Sequence, residues 1–315
     1  MNHTGLSLSN SYDSLPFDFC TNHKFNHTSY NSITIFTCVT VALSSPVAVV
    51  GNALVLTAIW RNPSLRTPSY VFLCGLALTD LCIGILGQPA YVLYRIAALI
   101  VNKRLYCIAN AVAHSIVPYF STVTGLTMTA MAVERWLLMS RRRLTVRRVY
   151  IIQGVLLFIP VPYMALRRLP GMKAYFVTAI VHIMEGSIGL FCLVVSSVAY
   201  FKVFRIIRQH KQQVHANTEI IYGGPTGFNL EKYQKSVYTI LWIMATFSLG
   251  FSPYAFSAVL MALLNVSYKT STAVLHLSTT FLLMTSSVNP LLYIWRLREI
   301  REEVKQLNRK IFCRC

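Results

Sequence analysis

The chain has 315 residues, of which 55% are hydrophobic and only 12% charged, about half the charged share of an average globular chain. That balance argues against a cytosolic, disordered or fibrous protein. Its 29 Lys and Arg against 10 Asp and Glu leave a net charge of +19, which suits either nucleic acid or a membrane surface.

Long apolar stretches decide for the membrane. Residues 1–32 are polar, carry glycosylation sequons at Asn2 and Asn26, and lack the apolar core of a cleavable signal peptide, so the first span serves as its own signal. Seven stretches then match the roughly 20 residues that cross a bilayer. They lie at about 33–60, 69–96, 105–139, 149–168, 174–207, 236–264 and 272–295. The fourth is short and holds Pro160 and Pro162, which helices in lipid tolerate. Residues 211–230, with Gly223-Gly224-Pro225, form a low-order linker between spans five and six, and a third sequon at Asn265 precedes span seven. In residues 296–311, Leu297, Ile300, Val304, Leu307 and Ile311 recur at three and four, the pattern of an amphipathic eighth helix in the headgroup layer. Cys313 and Cys315 follow it, either as palmitoylation sites or as unmodified thiols.

Orientation follows from the basic residues. With the N-terminus outside, 21 Lys and Arg fall inside and eight outside: Lys24, Arg95, Lys103, Arg104, Arg167, Arg168, Lys173 and Lys269. The three sequons all fall outside as well. The expected organisation is a glycosylated extracellular segment (1–32), a seven-transmembrane domain (33–295), and an amphipathic helix with a cytoplasmic tail (296–315). This is an all-α membrane protein, a seven-helix bundle with its N-terminus outside. The basic excess is mainly cytoplasmic, so membrane lipid accounts for it and nucleic acid is not needed.

Acids inside a bilayer cost several kcal/mol and mark function. Asp80 is mid-span in the second helix, at the depth of Asn52 in the first and Asn289 in the seventh, with Thr124, Thr285 and Ser286 nearby. Such an oxygen-rich set suits a hard cation such as sodium, bound waters, or a polar network that fixes helix packing. Glu134-Arg135-Trp136 ends span three, where adjacent opposite charges can pair. Pro253 and Pro290 interrupt spans six and seven and give each a pivot.

Together these residues resemble the rhodopsin-like (class A) G protein-coupled receptors over about residues 33–312. Gly51-Asn52 and Leu76-x-x-x-Asp80 fit the family. Glu134-Arg135-Trp136 is similar to its Asp/Glu-Arg-Tyr motif, Phe247-x-x-x-Phe251-x-Pro253-Tyr254 to its span-six switch, and Asn289-Pro290-Leu291-Leu292-Tyr293 to its Asn-Pro-x-x-Tyr motif. The resemblance implies a plasma-membrane receptor, not an enzyme, that passes an extracellular stimulus to a heterotrimeric G protein. Span six would swing outward at its inner end, Arg135 would leave Glu134, and Tyr200 and Tyr293 would approach it. It further implies arrestin and receptor-kinase partners, and an allosteric sodium ion at Asp80 as the one candidate cofactor.

The departures are specific. Asn110 stands where the family has its span-three cysteine, and the second outer loop (about 167–173) has none. Cys20 and Cys107 share the outer side, so a bond between them and two free thiols both stay open. Span five has Cys192 in place of the family's proline, span four lacks its tryptophan, and Phe251 replaces a tryptophan. Arg142 and Arg143 replace a proline and an apolar residue that help dock the G protein, and Tyr233 replaces an acid that often holds the span-three arginine.

Val117 excludes the aspartate of amine receptors and Leu283 the lysine of retinal opsins. The missing second-loop cysteine and span-five proline resemble the melanocortin receptors, but the acids those receptors use are absent. The expected ligand pocket gathers Val117, Pro118, Ser121, Met184, Ile188, Tyr254, Ala255, Ala258 and Thr279 with the polar Tyr91, Tyr94, His114, His182, Glu185 and His276. Glu185 is the expected charged contact. Lipid-like and peptide ligands both fit, and three histidines would also allow a proton sensor. The alternatives are a seven-span transporter or channel, against which no internal repeat is seen, and a receptor-like protein that has lost G-protein coupling.

Overall fold

The computed structural model describes residues 31–166, 174–218 and 268–312, together with 238, 242, 245, 246, 248–254, 256 and 257 of span six. Every sequon, Cys20, Tyr233, Phe247, Ala255, Ala258, Cys313 and Cys315 lie outside the described residues.

Span one is the helix Asn31–Arg61, and span three is Lys103–Met139. Span four is broken into Val146–Phe158 and Val161–Leu166 around Pro160. Span five is Ala174–Thr218 and span seven is Tyr268–Arg296. Local chemistry sets several of these ends. Asn102 and Thr145 accept hydrogen bonds from the backbone of Leu105 and Arg148, and Pro68 opens span two where a missing N–H costs nothing.

Span two runs as Pro68–Cys82, a wide turn over Ile83–Gly87, and Gln88–Leu99. In the wide turn Gln88 N–H reaches the Ile83 carbonyl five residues back, just before Pro89. The extra residue re-aims everything above it. Gln88 Nε2 then donates to the Leu283 carbonyl of span seven at 2.9 Å, and Tyr91 and Tyr94 turn into the bundle.

Phe72, Leu76, Tyr91, Met128, Leu283 and Tyr293 are fully buried, whereas Leu43, Trp60, Leu78, Leu190, Phe201 and Leu249 are exposed around the outside. Large apolar side chains turned outward are what a lipid solvent selects. Span three is the most buried of the long apolar helices and span one the least, which places span three at the centre.

The amphipathic helix spans Arg298–Phe312. Its apolar stripe does more than float on headgroups: Ile300, Val304 and Leu307 are buried in the main core. Asn62 Nδ2 donates to Glu303 at 2.8 Å and Tyr70 Oη to Glu299 at 3.3 Å, tying this helix to the inner ends of spans one and two.

Two expectations sharpen. The helix of span two extends past residue 96 to Leu99, and Arg95, counted with the basic residues of the outer side, is only 8% exposed within it. Cys107 is disulfide-bonded, with its partner outside the described residues.

Spans one and seven approach closely at Gly51. A methyl group there would come within 2.8 Å of the Pro290 ring. In a free helix, Gly to Ala is stabilising by about 1 kcal/mol. Gly51→Val is expected instead to destabilise the purified protein by about 1–3 kcal/mol through overpacking, read as a lower thermal unfolding midpoint in detergent.

Candidate functional site

Three groups of residues lie along the bundle axis. The central one is built on Asp80, 1% exposed, on the inner half of span two. Asn289 Nδ2 donates to Asp80 Oδ2 at 2.9 Å, and Asn52 Nδ2 donates to the Ser286 carbonyl at 3.0 Å and to Ala48 of its own helix at 2.8 Å. Spans one, two and seven are thereby joined. Thr124 pairs with Thr79 at 2.8 Å, bringing span three alongside, while Thr285 bonds back to Leu282 of its own helix. One oxygen on each of Asn52, Asp80 and Asn289 is buried with no hydrogen-bond partner. Three such oxygens, one carrying charge, are the donor set of a hard cation or of bound waters.

At the inner end, Arg135 Nε stands 3.6 Å from Glu134 Oε2, and Ser69 Oγ donates to both oxygens of that carboxylate at 3.1 and 3.2 Å. Glu134 is 4% exposed, so burial strengthens the pair and makes an unpartnered charge there costly. Trp136 faces span five, where Lys202 Nζ lies 4.2 Å from its ring centroid. Tyr200 and Tyr293 are both buried near this level.

Between the centre and the outer side, Phe251 is packed against span five at Gly189, where any side chain would collide with the ring. Phe251 and Tyr254 rings lie 6.2 Å apart, and Tyr254 Oη donates to Glu185 at 3.0 Å. Glu185 is 3% exposed. Spans five and six therefore share a polar contact beside Pro253.

The outer cavity is a narrow cleft of about 480 Å³ including its open part. It gathers eight of the expected pocket residues: Tyr91, Tyr94, His114, Val117, Pro118, Tyr254, His276 and Thr279. Tyr94 Oη and His276 Nδ1 are 3.2 Å apart, Tyr91 Oη donates to the His276 carbonyl at 3.2 Å, and Tyr94 meets His114 ring to ring at 5.7 Å.

The other expected pocket residues are placed differently. Met184 is 39% exposed, and Ile188 packs with Met164 of span four. Ser121 and Glu185 are buried outside the cleft wall, and Glu185 is engaged by Tyr254. Span five is apolar on every side, so periodicity alone could not tell its bundle face from its lipid face. Ala113, Leu275 and Leu282 join the wall. The spacing Leu275-x-x-x-Thr279-x-x-Leu282 was the signal for the last two.

Comparison with known proteins agrees with this geometry. Residues 51–165 match the family described as 7 transmembrane receptor (rhodopsin family). The chain superposes on squid rhodopsin with a TM-score of 0.75 at 17% identity, over 91% of this chain and 88% of that one. It is 23% identical over 288 residues to the adenosine receptor A3 of Ovis aries, covering 81% of this chain and 84% of that receptor, and equally so to that of Bos taurus. The chain is thus similar to the rhodopsin-like receptors in fold over most of its length and in family sequence pattern over residues 51–165. A shorter match, 30% identical over 93 residues and 28% of this chain, is to a QRFP-like peptide receptor of Branchiostoma floridae.

These similarities support a multi-pass membrane receptor rather than an enzyme. Its span-five to span-six contact rests on a buried carboxylate and a phenol. Tyr254→Phe removes that donor, and the protein is expected to lose about 1–3 kcal/mol of stability. Thermal unfolding of wild type, Tyr254→Phe, Glu185→Gln and the double variant measures it, and the double variant should lose less than the sum.

Proposed function

We propose that this receptor couples an extracellular lipid-like or peptide ligand to a heterotrimeric G protein by outward movement of the inner end of span six. The observation that carries the reading is the inner lock. Arg135 is paired with Glu134 of its own helix at 3.6 Å, and in the active arrangement it would leave Glu134 and turn to a partner as span six moves out. Ligand acts from the other end. A molecule in the outer cleft touches Tyr254, which holds Glu185, and a push on Tyr254 bears on the adjacent Pro253 and on Phe251 one turn away. A ligand that favours one arrangement of this chain of contacts shifts the population of receptors between the two states.

The three unpartnered oxygens of Asn52, Asp80 and Asn289 fit a sodium ion. Asp80 would hold it by charge and the amides by their oxygens, tightening spans one, two and seven in the inactive arrangement. We further propose a plasma-membrane location, glycosylation at Asn2, Asn26 and Asn265, palmitoylation at Cys313 and Cys315, and arrestin and receptor kinase as later partners. Cys20 is the proposed partner of Cys107, because it is the remaining cysteine on the outer side once Cys38, Cys74, Cys82 and Cys192 are free thiols and Cys313 and Cys315 follow the inner helix.

A cell-based G-protein dissociation assay tests the coupling. Well-expressed wild type is expected to give a basal signal for at least one G protein, and Arg135→Ala to abolish it. Absence of any signal, basal or ligand-driven, across all G-protein classes would contradict the proposal and favour a receptor-like protein without coupling.

A further inference from the structure

Arg95 has no role in the activation machinery, yet it is the one cation buried on the outer half of the described bundle. It is 8% exposed, and one of its terminal nitrogens donates to Thr34 Oγ1 of span one. Its Nε is buried without a hydrogen-bond partner. Among the described residues no carboxylate lies within ion-pair distance of it. A buried guanidinium with an unused donor is costly unless an anion completes it.

Its surroundings set where that anion would come from. Tyr91 and Tyr94, a turn and a residue before it, line the outer cleft, and Arg95 stands one helical turn above Tyr91, just beyond that lining. The same end of the bundle carries His114 in the cleft wall and exposed Lys103 and Arg104 at the start of span three. The only described acid on this half is Glu185, which is occupied by Tyr254. Field and donors at the cleft mouth therefore favour negative charge. Below the mouth the wall turns apolar, through Val117, Pro118 and Leu282.

We propose that the cleft takes an amphiphilic anion, a carboxylate or phosphate head on a single acyl chain. The head completes the Arg95 guanidinium beside Tyr91, Tyr94 and His276, and the chain descends among Val117, Pro118 and Leu282 toward Tyr254. This deepens the receptor reading, and it rests on that reading for its consequence but not for its test. The apolar wall separates an amphiphile from a free anion. The position of Arg95 inside the helix, bonded to Thr34, separates it from an arginine reaching outward to bulk lipid.

Equilibrium binding to the full chain in phosphatidylcholine nanodiscs, corrected for empty discs, decides it, using laurate, dodecyl phosphate, dodecanol and inorganic phosphate as probes. Laurate and dodecyl phosphate are expected to bind saturably and dodecanol and inorganic phosphate at least about tenfold more weakly, the value of one charge-assisted hydrogen bond. Arg95→Gln is expected to weaken the two anions about tenfold or more without changing dodecanol, and Arg95→Lys to retain part of the affinity, which separates lost charge from lost fold. Equal binding of laurate and dodecanol, or laurate binding unchanged in Arg95→Gln, overturns the proposal. Binding of inorganic phosphate as tight as dodecyl phosphate also overturns it. So does an Arg95 effect seen only as a changed preference for phosphatidylglycerol over phosphatidylcholine discs, which would assign the arginine to bilayer headgroups. No G protein is present, so a negative result leaves the coupling claim standing.

Discussion

A carboxylate in the middle of a lipid-facing bundle has to be satisfied from within, and Asp80 is the point from which the rest of this structure is organised. Water is scarce at that depth, and an isolated charge there costs several kcal/mol. The answer is a shared set of partners: Asn289 donates to Asp80, and Asn52 ties span one to the backbone of span seven beside it. For those amides to arrive together, spans one and seven must touch, and Gly51 provides the close approach to Pro290. The register of three helices is thus set by one buried charge. Three oxygens remain unfilled at its centre, so the set is open to one more cation or to water.

From that centre two levers extend. Toward the cytoplasm, Tyr293 is fully buried one turn beyond Asn289, and the Glu134–Arg135 pair sits at the end of span three. Toward the outside, the wide turn at Ile83–Gly87 rotates the upper part of span two, so that Gln88 holds span seven and Tyr91 and Tyr94 line the cleft. Span five to span six contact through Glu185 and Tyr254 completes the path from cleft to hinge. Each connection is a hydrogen bond or a tight contact, the kind of discrete link that a two-state device would make and break.

Much of this was legible in the sequence. Helix existence, the depth of Asp80, Asn52 and Asn289, and the charge pair at Arg135 all follow from lipid physics, because polar groups are rare enough in a span to stand out. Five of the eight cleft residues, Tyr91, Tyr94, His114, Tyr254 and His276, were recoverable for the same reason: polar rings in a span stand out and need an inward face. What stayed hidden had physical causes. Arg95 counted only as one of the outer-side charges, because position near the end of a span does not say whether a long side chain is buried or reaches outward. Met184 and Ile188 were misplaced because span five is apolar all round. The wide turn before Pro89 was invisible because a single proline does not say how the backbone absorbs it.

The central claim is that the Asp80 network sets the position of span six at the inner face. The distance between Arg66→Cys and Tyr238→Cys, both exposed positions, measured by pulsed electron paramagnetic resonance on spin-labelled protein, tests it most directly. Three conditions suffice: sodium, sodium replaced by N-methylglucamine, and nucleotide-free G protein. The account predicts a short-distance population in sodium that gives way in part to a longer one when sodium is removed, and further when G protein is added. One unchanged distribution under all three conditions would contradict it.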